Sequence, residues 1–169
     1  MPFDTGTVDA FLMVDVFHHI PDTSAFLYEV ERCLVSRGRL IMVEPANTYL
    51  SRLFYKHFHH EGFEPKCGWG LESKGPLSSA NGALPWIVFV RDRFDRLAKE
   101  HPTLLVMKTK IHTPFKYLLT GGLSFKSLIP GSISIGAVGV IETVLTPFMK
   151  WIGMFNTIVV ERQSENKFR

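Results

Sequence analysis

The sequence predicts an α/β fold, a mostly parallel sheet flanked by helices, and three observations carry that prediction. "VDAFLMVDV" (Val8 to Val16) is a nearly continuous apolar run; "PDTSAFLYEVERCLVSRG" repeats its apolar residues at helical spacing; "RLIMVEP" (Arg39 to Pro45) is a second apolar run. Continuous apolar runs bounded by polar residues are the pattern of strands buried on both faces of a parallel sheet. Strand, helix and strand with short joints form a right-handed crossover unit.

The first run ends at "DVFHHIPD" (Asp15 to Asp22), an acid and two adjacent histidines before a proline. Asp22 or Thr23 caps the helix that follows, and Phe26, Leu27, Val30, Cys33 and Leu34 fall on one face, with Gly38 as the expected stop. The second run closes on Glu44 and Pro45. From Asn47 to Ala83 the chain reads as irregular, opening with a short helix, "SRLFYKHFHHE", and continuing through "CGWGLESKGPLSSANGA" as an exposed loop or lid. A helix is expected from Leu84 to His101, an outer strand over Leu104 to Thr113, and a last strand over Phe155 to Gln163 before a polar tail.

Composition narrows the function. The chain has 169 residues, 46% hydrophobic and 21% charged, which suits a single domain over 1–169 with a loop or lid insertion at 47–83. Its net charge of +3 is small and its basic residues are interleaved with acids, as in "RDRFDRLAKEH", which argues against nucleic-acid binding. Cys33 and Cys67 form no CxxC pair and no secretory leader is recognisable, so the expected compartment is the cytoplasm. The apolar segment Leu118 to Phe155 is broken by Pro130, Gly131, Gly136, Gly139, Glu142 and Pro147. Burial against the sheet is its expected role, with a lipid-like acceptor cleft or peripheral membrane contact as the alternative.

Ligands of open α/β sheets bind past the carboxyl ends of the strands. Asp15 to His19 and Glu44 stand at the ends of two adjacent strands and therefore face one crevice. His19 and Glu44 are the candidate catalytic groups, since a histidine titrates near neutrality and a carboxylate accepts a proton. "HFHHE" (His57 to Glu61), with Cys67 nearby, has no second ligand cluster at clear spacing, and no metal is expected. As part of a lid, Tyr49, Phe54, Tyr55 and Phe58 would supply aromatic walls to an acceptor site.

The stretch "MPFDTGTVDAFLMVDVFHHIPDTSAFLYEVERCLVSRGRLIMVEP", Met1 to Pro45, resembles the second half of the class I S-adenosylmethionine-dependent methyltransferase domain, in its small-molecule and lipid branch. The resemblance lies in the succession of a Pro-Phe turn, an aspartate opening a strand, histidines closing it, a helix with an Arg-x-Leu end and a strand closing on an acid. Met1 stands for the usual leucine, Val8 for phenylalanine, and Ser36-Arg37-Gly38 for Pro-Gly-Gly. The family's glycine-rich cofactor turn has no counterpart; "GWG" and "TGG" (Thr120 to Gly122) lack the strand before and the helix after.

The resemblance implies the C-terminal part of a Rossmann-like class I methyltransferase fold, three-layered, its mostly parallel sheet carrying an antiparallel strand near the end. It implies S-adenosylmethionine as cofactor, a small-molecule or lipid-like acceptor, Pro2 and Phe3 beside the adenine, and Asp15, Val16, Phe17 and His18 along the amino-acid end. Termination of a strand and capping of a helix is the plainer role for the same residues. A front-truncated domain would expose the edge of its first strand and be inactive alone. Uncovering three or four apolar side chains at roughly 1.5–3 kcal/mol each rivals a domain stability of about 5–15 kcal/mol. Self-association, a partner chain or a non-catalytic interaction module using that edge follows as the alternative.

Overall fold

The computed structural model describes residues 1–59, 61–71, 80–113, 115–119 and 132–164. β1 (Val8–Val14) leads through a single turn of 3₁₀ helix (Phe17–His19) to α1 (Thr23–Cys33), and α1 returns the chain to β2 (Leu34–Pro45). The crossover makes β1 and β2 parallel, in register from Phe11 opposite Leu40 to Val14 opposite Val43. After α2 (Tyr49–Phe58) comes a helix over residues 84–100, α3, and then β3 (Leu104–His112). Short α4 (Lys116–Leu119), α5 (Ser132–Val144) and α6 (Met149–Ile152) precede β4 (Phe155–Arg162).

The sheet order is β1-β2-β4-β3. β4 runs antiparallel to both neighbours, so β1, β2 and β3 share one direction and β4 opposes them, as expected. Alternation then sorts the side chains. Leu40, Met42, Ile158 and Val160 are fully buried with Leu27 and Val30 of α1 and Ile87, Val88 and Phe89 of α3 in the principal core. Glu44, two residues past Met42, follows the same alternation into the same layer.

Four expectations are corrected. β1 is not buried on both faces: it lies at the sheet edge, Phe11 and Met13 lean on the core, and Leu12 and Val14 are 77% and 66% exposed. Gly38 is no helix stop, because α1 ends at Cys33 and the chain is already extended at Leu34. Arg37 takes a left-handed φ of 66°, and a Cβ at Gly38 would lie 2.9 Å from the Val35 carbonyl and 3.1 Å from that of Asp9. Gly38 therefore serves a close approach of two strands where their register shifts between Val8 and Ala10.

The third correction concerns α3, which has the expected extent but not a uniform pitch. It widens to π geometry at Ile87–Arg91 and Arg93–Leu97, the Asp92 N–H donating to Ile87 and the Leu97 N–H to Asp92, five residues back each time. Fourth, the late apolar segment is only partly buried where it is described: Val138, Met154 and Phe155 are buried, whereas Val140 and Val144 of α5 are 65% and 72% exposed. No helix among the described residues is long and apolar enough to cross a membrane. The Thr120–Gly122 glycine pair, His60 and the Glu72–Ser79 part of the loop lie outside the described residues.

Candidate functional site at the strand ends

Parallel register brings the ends of β1 and β2 level. The Asp15 N–H donates to the Val43 carbonyl at 2.9 Å, which carries Asp15 alongside Glu44. Asp15 then turns the chain with a φ of 58°, a left-handed conformation uncommon for non-glycine residues but one that aspartate adopts more readily than most. The turn aims the next two amides back at β2: the N–H groups of Val16 and Phe17 donate to Glu44 Oε1 at 3.0 and 2.7 Å. The other oxygen, Oε2, accepts from His18 Nδ1 at 2.7 Å. Glu44 is wholly buried, and these three donors hold a carboxylate where an unpaired one would be costly.

His18 is as buried as Glu44, and its Nδ1 lies 4.0 Å from Asp15. Burial alone would push the imidazole down, but the Glu44 hydrogen bond and the charges of Glu44, Asp15 and Glu61 outweigh it and hold His18 above the usual histidine range. Burial raises the Asp15 carboxyl, with Glu44 and Glu61 adding to the rise and His18 and His19 opposing it.

Glu61 reaches this cluster from the loop after α2. Its carboxylate stands 3.4 Å from His18 Nε2 through one oxygen and 3.4 Å from His19 Nε2 through the other. The loop is built to hold it there. The Glu61 N–H donates to His59 Nδ1 at 3.0 Å, the Gly82 N–H to the Gly62 carbonyl at 2.9 Å, and the Asn81 N–H to the His18 carbonyl at 3.0 Å. The Asn81 side chain accepts from Glu64 N–H and donates to the Glu64 carbonyl, locking residues 61–64 to 81–83. Further along, the Thr23 hydroxyl donates to the Trp69 carbonyl and the Trp69 indole to Asp92, at the bend of α3.

A cavity of about 1050 Å³ opens beside Glu61, walled by Tyr55, Phe63 and Trp86 and by four cations, Arg52, Lys56, Lys66 and Arg91. Of the four aromatic residues expected there, Tyr55 lines it, whereas Tyr49 and Phe58 are exposed and Phe54 stacks on Phe58.

Asp15, Val16, Phe17, His18, His19 and Glu44 thus come together, with Phe17 buried in the core and Val16 exposed. Pro2 and Phe3 do not join them. The Phe3 carbonyl faces Cys33 Sγ at the far end of α1, and its ring lies 6.0 Å from that of Phe11. Glu61, His59 and Asn81 are the additions that spacing could not place. For Glu61 and His59 the one trace in the sequence is the "HHE" run, whose partner cluster is the distant Asp15–His19 segment; Asn81 leaves none.

Comparison with known proteins bears on the fold. The family model for the methyltransferase domain matches residues 1–42. No curated protein sequence matches significantly. Among solved structures, an S-adenosylmethionine-dependent methyltransferase of Methanosarcina mazei is 14% identical with a TM-score of 0.50, covering 98% of this chain and 64% of its own. A methyltransferase of Mesorhizobium loti is 11% identical with a TM-score of 0.45, covering 96% and 65%. A geranyl diphosphate C-methyltransferase of Streptomyces coelicolor A3(2) is 16% identical with a TM-score of 0.47, covering 96% and 51%. The chain spans less than two thirds of each. Residues 1–42 are thus similar to the methyltransferase domain family, and the chain carries the fold of class I S-adenosylmethionine-dependent methyltransferases.

Proposed function

We propose that the crevice past β1 and β2 binds S-adenosylmethionine and that the adjoining cavity receives the methyl acceptor, a small or lipid-like molecule. The observation that carries this reading is the meeting of the Asp15–His19 turn, Glu44 and Glu61 at the strand ends, next to a cavity of about 1050 Å³. The donor set suits the cofactor. Its ammonium and sulfonium are cationic, and Asp15, Glu44 and Glu61 concentrate negative charge at the crevice.

When bound, S-adenosylmethionine supplies a methyl group already activated by positive sulfur, so the residues need chiefly to align the acceptor with it. In this reading Asp15 and the Val16 backbone face the cofactor's amino-acid end, as the family resemblance implies. Glu44 works as a positioning residue, orienting His18 and the two amides rather than meeting substrate. His19, 41% exposed at its side chain, and Glu61 are the groups that meet the acceptor. Cations outnumber carboxylates four to two on the cavity wall, which favours an acceptor with an apolar body and a negative group.

The test is calorimetric titration of S-adenosylhomocysteine into the folded chain. Saturable binding that Asp15→Ala weakens supports the reading, and absence of binding removes it. A second reading, contact with a membrane surface, is favoured by the exposed Val140, Ile141, Val144, Phe148 and Trp151. It predicts co-sedimentation with liposomes that does not depend on S-adenosylhomocysteine.

A further inference from the structure

We propose that His18, His19 and Glu61 form a site for a divalent transition metal, Zn²⁺ or a cation of like preference, with Glu44 as the carboxylate behind His18. One ligand atom from each of the three residues lies within 4.8 Å of the others. The two closest separations, His18 Nε2 to Glu61 and His19 Nε2 to Glu61, are both 3.4 Å. That is long for a hydrogen bond, which centres on about 2.9 Å. The two contacts use different oxygens of Glu61, Oε2 for His18 and Oε1 for His19, so the carboxylate faces both imidazoles at a separation that an ion can bridge.

The tautomer points the same way. His18 Nδ1 is engaged with buried Glu44 at 2.7 Å, and donating its proton there leaves Nε2 directed at a carboxylate. With Nδ1–H given to Glu44, Nε2 faces the Glu61 carboxylate across either its own proton or a metal ion, and a bound metal takes the proton's place. A carboxylate behind a ligating histidine is the arrangement that fixes ring orientation and raises ligand basicity at metal centres. Imidazole nitrogens with one carboxylate favour Zn²⁺ and its transition-metal neighbours over Mg²⁺ or Ca²⁺, which prefer all-oxygen shells.

The ligands are also held before any ion arrives. The His19 N–H donates to the Val16 carbonyl at 3.1 Å, Asn81 pins the His18 carbonyl, and His59 Nδ1 accepts the Glu61 N–H. His19 and Glu61 are partly exposed, which provides a path of entry. Three protein ligands leave a fourth position for water or a substrate oxygen. The site shares His19 and Glu61 with the proposed acceptor side of the crevice, but its metal binding needs only its own ligands and no S-adenosylmethionine.

The experiment is titration of the full chain with Co²⁺, followed by visible absorption, and with Zn²⁺ by calorimetry. One Co²⁺ per chain is expected, with the visible band of a four-coordinate ion, displaced by Zn²⁺ and not by Mg²⁺. His19→Ala and Glu61→Gln each weaken binding at least about tenfold, and Glu44→Gln weakens it about 10–100-fold through His18. His57→Ala, exposed on α2 and outside the cluster, leaves it unchanged. Absence of saturable Co²⁺ binding by the folded wild-type chain overturns the proposal. So does binding that survives both His19→Ala and Glu61→Gln, or that His57→Ala abolishes. S-adenosylhomocysteine binding is read separately, so failure of either proposal is seen independently of the other.

Discussion

The two faces of the sheet differ sharply. On one, Leu40, Met42, Ile158 and Val160 are closed off completely beneath α1 and α3; on the other, Leu12 and Val14 of β1 stand in solvent beside the partly buried Ile41 and Val43. The apolar character of the strands is similar on both sides, so composition does not account for the difference. Helix cover does. The functional cluster belongs to the covered side, because Glu44 continues the Leu40–Met42 alternation and places its carboxylate under His18. Stability and site geometry are therefore invested in one face, while the other is left available for contact.

The largest expected effect sharpens that contrast directly. Ile158→Ala, on the closed face, should destabilise by about 2–5 kcal/mol, whereas Leu12→Ala on the open face should cost about 0.5 kcal/mol or less. Urea denaturation of the two variants measures both, and equal losses would mean that the open face is covered in solution.

A smaller effect is expected at the seam joining α2 to the β3 edge. The Thr48 hydroxyl accepts from the Ser51 N–H as the α2 cap and donates to the Gly153 carbonyl at 2.8 Å. A Cβ at Gly153 would meet Ile111 Cγ2 at 2.2 Å and the Met149 carbonyl at 3.0 Å. Gly153→Ala should therefore cost about 1–3 kcal/mol as overpacking. A thermal melt unchanged from wild type would show that this seam yields freely and carries little of the fold.

The smallest effect concerns the bend in α3 that covers the closed face. The hydrogen bond from Arg91 holds the Asp92 carboxyl below the usual carboxylate range, burial opposing and the Trp69 indole N–H assisting. With the folded value below the unfolded value of about 3.9, the stabilisation is present above that pH and is lost as pH falls through the folded value. Wild type should thus lose more of its melting temperature than Asp92→Asn between about pH 5 and pH 3. Parallel losses would mean that Asp92 contributes nothing to the closure.

Much of the frame was legible because it depends on local period and short connections. The β1–α1–β2 unit, the extent of α3, the last two strands and the approach of Asp15–His19 to Glu44 all follow from apolar runs joined by short turns. Parallel pairing across such a unit leaves little choice of register. The excess length given to α1 arose because "LVSRG" continues a helical pattern, whereas pairing of Leu34 with Val8 in the sheet prevails over local preference.

What the sequence by itself determined, then, is the strand–helix–strand frame and the polar cluster at its carboxyl end, since both rest on residues near in chain and periodic in pattern. Only the tertiary structure decided that Glu61 would stand between His18 and His19, that Pro2 and Phe3 would lie away from the cluster, and that one face of β1 would stay open. Those outcomes depend on contacts across long stretches of chain, such as Asn81 to Glu64 and to His18 and Trp69 to Asp92. Each closes a loop whose two ends carry no shared period, so the pairing is chosen by packing and hydrogen-bond satisfaction in the folded chain.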